Sequence, residues 1–92
     1  MKTLKELRLS YNLTQEELAR LFNVSTRTIQ NMEKDSSRIK DSLLSKYRKA
    51  FSVKYDDIFL GTEYENNVYL KKKKELIILA FNKKQVSQEV NT

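Results

Sequence analysis

The chain contains no cysteine, no histidine and no proline, and one glycine among its 92 residues. Without cysteine, neither a disulfide nor a thiolate metal site can form. Without histidine, the commonest general base and the commonest metal ligand are both missing. There is no glycine-rich loop to cradle a phosphate and no recognisable carboxylate pair. The sequence therefore does not read as an enzyme, and it implies no cofactor and no metal. The scarcity of glycine and proline also argues against an all-β fold, which needs many turn residues. The longest apolar run, Leu76 to Phe81, is six residues. A membrane span needs about 20. The first residues carry Lys5, Glu6 and Arg8 and no apolar core of a signal peptide, so a cytoplasmic location is expected.

What is present points to a globular helical domain. The composition is 39% hydrophobic and 33% charged, and the length suits one domain. The net charge of +6 suits a polyanionic partner, although a plain surplus of surface lysine would give the same number. Thr3 and Glu6 form a capping-box pair ahead of Leu4, Leu7 and Tyr11, which share a helical face ending near Asn12. Thr14 and Glu17 repeat the box ahead of Leu18, Leu21 and Phe22. Asn23 suits a left-handed turn, and Ser25 suits the N-cap of a third helix, Thr26 to Lys34. That helix has only Ile29 and Met32 as apolar residues, so core burial alone does not explain it. Asp41 or Ser42 can cap a fourth helix with Leu43 or Leu44, Tyr47 and Phe51 inward. A short helix through Ile58 to Leu60, capped by Gly61, is expected to close the bundle.

Gln15, Ala19, Asn23-Val24-Ser25 and Ile29 form one constellation. Two helices meeting steeply across a short turn need a small residue where they touch, a residue tolerating positive φ in the turn, and apolar clamps at the corner. Ala19, Asn23, and Leu18 with Val24 and Ile29 supply these in order. The run from Leu13 to Lys34 resembles the phage repressor/Cro-type, or XRE-like, helix-turn-helix family, less specifically over about residues 2–61. Two departures stand out: Asn23 and Asp35 occupy positions where that family favours glycine.

The resemblance implies an all-α fold: a compact five-helix, lambda-repressor-like DNA-binding domain at residues 1–61 with a C-terminal tail at 62–92, read as a short helix. It implies that the helix at residues 25–34 enters the major groove of double-stranded DNA. Thr26, Arg27, Gln30 and Asn31 would then read bases, Arg27 suiting guanine and Gln30 or Asn31 adenine. Gln15 would hold a phosphate, helped by the helix dipole, or simply belong to the cap. Ser25, Lys34, Ser36, Arg38 and Lys40 are further candidate phosphate contacts; the last three also suit an ordinary polar loop. Arg8 and Glu33 match a family ion pair, and the structural reading of that pair is preferred to a DNA contact.

The tail is less determined. Val68, Leu70, Ile77 and Phe81 are candidate dimerisation residues, with Leu70, Ile77 and Phe81 fitting a helical stripe. Glu75 to Phe81 also fits a buried strand, and the segment can equally pack back on the bundle. Lys71 to Lys74 is a charge run, ordinarily solvated or attracted to polyanions. The expected function is a transcriptional regulator of the phage or mobile-element repressor type, binding an operator as a homodimer. The alternative is an antitoxin-like protein whose tail holds a partner protein.

Overall fold

A computed structural model describes the backbone of residues 1–90 and the side chains of residues 1–85. Its elements in chain order are β1 (Lys2–Thr3), α1 (Leu4–Ser10), α2 (Gln15–Phe22), α3 (Thr26–Lys34), α4 (Asp41–Phe51), a 3-10 turn (Tyr55–Asp57), β2 (Ile58–Phe59) and α5 (Glu63–Val90). The all-α class with five helices is therefore correct, with one minor sheet added. None of the described helices is long and apolar enough to cross a membrane.

Local chemistry sets the helix ends. Both capping boxes form: Thr3 with Glu6 at α1, and Thr14 with Glu17 at α2. Each satisfies two backbone N–H groups that a helix start leaves unpaired. Asn12 and Asn23 take positive φ, 56° and 55°, where asparagine costs least among residues with a Cβ. Ser52 ends α4 at φ 51°. Neither Asp41 nor Ser42 caps α4; both lie inside it, and Lys40 stands at the N-cap without a side-chain bond.

The core lies between α1, α2, α3 and α4. Leu4, Leu7, Leu18, Ala19, Phe22, Ile29, Leu43, Leu44, Tyr47 and Phe51 are buried, and Ile58 joins them from the sheet. Phe22 and Tyr47 meet edge to face at 4.9 Å. Two residues assigned to apolar faces point outward instead. Leu21 is 63% exposed, because Leu18 and Phe22 already supply the inward face of a two-turn helix. Tyr11 is exposed at the end of α1 and stacks on Phe51 from outside.

The largest departure from expectation follows α4. No helix forms at Ile58 to Leu60, and Gly61 caps none. Ile58 and Phe59 are extended and pair in parallel with Lys2 and Thr3, in register Lys2 to Ile58 and Thr3 to Phe59. Ile58 and Phe59 suit a strand, but the partner lies more than fifty positions away, so no local pattern reveals it. The fifth helix is instead the tail, far longer than the short helix expected. Glu63 to Phe81 is helical throughout, which excludes the strand reading of Glu75 to Phe81.

The first turns of α5 are fixed to the body. Tyr69 stacks on Phe59 at 4.3 Å, and its hydroxyl donates to the Met1 carbonyl. Lys73 donates to the same carbonyl and pairs with Glu6 at 3.1 Å. The boundary drawn at residue 61 is thus a break in secondary structure, while packing continues to Lys73.

Candidate nucleic-acid interface

The turn between α2 and α3 is locked from both sides. Asn23 and Val24 donate backbone N–H bonds to Arg20 and Ala19 carbonyls, at 3.2 and 3.0 Å. The Ser25 hydroxyl accepts from the Thr28 N–H at 3.1 Å and pairs with the Thr28 hydroxyl at 2.8 Å. From α4, the Lys46 ammonium donates to the Phe22 carbonyl at 2.6 Å, satisfying an orphan acceptor at the end of α2. Nothing in the local sequence around Phe22 pointed to that lysine, which is 24 positions away.

With this turn fixed, Ile29 anchors α3 at 0% exposure, while Met32 is half-buried. Arg27, Gln30, Asn31 and Lys34 are exposed, and Thr26 is half-buried at their edge. At about 100° per residue, these four fall within roughly a third of the helix circumference. The face divides into two rows: Arg27 with Asn31, and Gln30 with Lys34. The second row borders a cleft of about 280 Å³ shared with Gln15 and with Asn67 and Leu70 of α5.

Behind this face Arg8 and Glu33 form a forked pair. Arg8 Nε donates to Glu33 Oε2 at 2.6 Å, and Nη2 to Oε1 at 3.0 Å. Arg8 Nη1 reaches the Leu13 carbonyl at 2.8 Å. The side chains are only 8% and 4% exposed. The hydrogen bonds from Glu33 hold the Arg8 guanidinium above its ordinary value, against the opposing effect of burial. Gln15 Nε2 adds a bond to Glu33 Oε1 at 3.1 Å, so α1, α2 and α3 meet at one carboxylate.

Tyr47 lies nearby. Its buried hydroxyl has no hydrogen-bond partner among the described residues. Burial, with a contribution from Glu33, pushes this phenol well above its usual range, and Arg8 offsets part of the shift. Removing an unpartnered buried hydroxyl removes its desolvation cost. Tyr47→Phe is therefore expected to leave the melting temperature unchanged or to raise stability by about 1 kcal/mol. A clear fall in thermal denaturation would mean that the hydroxyl is satisfied in solution.

The candidate phosphate contacts fare unequally. Lys34, Arg38 and Lys40 are exposed. Ser25 is exposed, with its hydroxyl engaged in the cap. Gln15 is half-buried and bonded to Glu33. Ser36 is a correction: it is 2% exposed and faces inward. Its N–H donates to the Gly61 carbonyl at 2.8 Å, and its hydroxyl accepts from the Gly61 N–H at 2.9 Å. No phosphate can reach it there. Asp35 ends α3 in extended backbone, φ −139°, and accepts from the Ser37 N–H and hydroxyl, so that position needs no glycine.

In the tail, Val68 is half-buried, Leu70 is 37% exposed, and Ile77 and Phe81 are 70% and 58% exposed. Leu76, Ile78 and Leu79 are exposed beside them, so this stretch is apolar on every side rather than along one stripe.

A short helix wedged by its neighbours against a locked turn, with a polar face outward, defines a DNA-binding helix-turn-helix domain. The chain belongs to the helix-turn-helix family, whose model matches residues 4–58, in agreement with the resemblance read from Leu13 to Lys34. It is 39% identical over 62 residues to an uncharacterized HTH-type transcriptional regulator of Archaeoglobus fulgidus, covering 67% of this chain and 87% of that protein. It is 44% identical over 62 residues to another of Methanocaldococcus jannaschii, covering 67% of this chain and 94% of that protein.

Proposed function

We propose that the protein is a sequence-specific DNA-binding regulator of transcription that represses by occupying an operator as a homodimer. The observation that carries the reading is the outward face of α3. Arg27, Gln30 and Asn31 are exposed side by side on a helix whose opposite side is anchored by Ile29. Arginine forks onto guanine, and glutamine or asparagine onto adenine, in the major groove. The relatives that carry the name of transcriptional regulator support the same role. Repression follows from occupancy, since a bound dimer obstructs a promoter without further machinery. Pairing through the exposed apolar part of α5 supplies the second half-site reader that such domains need.

Selection of bound sites from random duplexes tests base reading. Arg27→Ala is expected to cost about 1–3 kcal/mol on the selected site and to relax preference at one base position. An equal loss on every sequence would make Arg27 a phosphate contact. Failure of the unaltered protein to enrich any site would overturn sequence-specific binding.

A further inference from the structure

We propose that the cleft-facing side of α5 is a second seat for the DNA backbone, with Lys71 and Lys74 holding phosphates beside the reading helix. This rests on α3 being that helix. The position of α5 is what suggests it. Asn66 Nδ2 donates to the Lys34 carbonyl at 3.1 Å, and Glu63 lies 3.9 Å from the Lys34 ammonium. The start of α5 is thus fastened to the end of α3. Gln15, Gln30 and Lys34 line one side of the cleft, and Glu63, Asn67 and Leu70 the other.

Helical geometry sorts the lysine run. At about 100° per residue, Lys74 falls within roughly 20° of the middle of the Glu63–Asn67–Leu70 face, and Lys71 about 75° to one side of it. Lys72 falls on the opposite side, where it lines a separate groove with Phe59 and Tyr64. Lys73 is turned to Glu6 and the Met1 carbonyl. Lys74 therefore continues the cleft-facing side of α5 one turn beyond Leu70, and Lys71 stands at the edge of that side; both are exposed, and among the described residues neither forms an ion pair.

The local charge favours a phosphodiester. Lys5 and Lys34 also border the cleft. Of its two carboxylates, Glu33 is bound by Arg8 and Glu63 stands beside Lys34. Lys5, Lys71 and Lys74 remain as surplus positive charge near the cleft, and Asn67 offers an amide donor of the kind that binds DNA backbone. The residues of α5 lie beyond the 4–58 matched to the family.

The test uses the full chain and two duplexes, one with a single selected half-site and one scrambled. Affinity is measured against salt for the unaltered protein, Lys71→Gln, Lys71→Gln/Lys74→Gln and Lys72→Gln. Each phosphate released from a lysine should flatten the plot of log affinity against log salt by about 0.9, so the double variant should flatten it by nearly 2. The change should be equal on both duplexes, with Lys72→Gln close to the unaltered slope. If Lys72→Gln matches Lys71→Gln, only diffuse charge is acting and the proposal falls. An unchanged slope in the double variant also overturns it. Lack of discrimination between the duplexes by the unaltered protein would refute the base-reading role instead, while the slopes would still report on α5.

Discussion

Arg8→Ala is expected to lower stability by about 3–5 kcal/mol, because it leaves the Glu33 carboxylate buried without its counter-charge. For a domain of this size that is a fall of roughly 12 °C or more in melting temperature. The geometry accounts for the size of this effect. The Glu33 side chain is 4% exposed, accepts two bonds from Arg8, and would keep only the bond from Gln15. The Leu13 carbonyl would lose its donor as well. Arg8→Lys should recover part of the loss, since an ammonium restores charge but not the fork. Replacing both partners by apolar residues of similar volume should be far milder than either single change. If Arg8→Ala melted like the unaltered protein while weakening DNA binding, Arg8 would be a DNA contact and the structural assignment would be wrong.

The second large effect concerns α5. Ile77→Asp with Phe81→Asp is expected to convert a two-chain species to single chains in sedimentation. Affinity for a two-half-site operator should fall by about 10²–10⁴-fold, the range that linking two binding modules supplies. Affinity for one half-site should barely change. Leu76, Ile77, Ile78, Leu79 and Phe81 expose apolar surface along the part of α5 beyond Lys74. A protein that sediments as one chain before substitution would remove α5 as the dimer surface. A different protein held on these residues would favour the antitoxin-like reading.

Much of the site was legible because its signals are local. Thr14 with Glu17, Asn23 and Ser25 each act on backbone groups within four positions, and each acts as its chemistry requires. The Arg8–Glu33 pair was legible only through the family resemblance, since nothing near either residue names the other. The misread places depend on distant partners. Ile58 and Phe59 became a strand because Lys2 and Thr3 lie alongside. Ser36 turned inward because Gly61 meets it. The tail hid its length for another reason. Leu76 to Phe81 has no polar side, so helical periodicity is absent where the helix is continuous.

The junction at Gly61 has a geometric consequence. Ser36 bonds to both the N–H and the carbonyl of Gly61, and Asn66 Nδ2 donates to the same carbonyl at 3.2 Å. A Cβ at Gly61 would lie 2.9 Å from Glu65 Cβ and 3.1 Å from the Phe59 ring. This small polar joint sets the angle at which α5 leaves the body. A helix of 28 residues is about 40 Å long, so a tilt of about 5° at its base swings its far end by some 3–4 Å. In a dimer paired through α5, Ser36, Gly61 and Asn66 act as the alignment screw of a lever. They are buried and none belongs to α3, but in such a dimer they would govern how far apart two reading helices stand, and hence which half-site spacing the protein accepts.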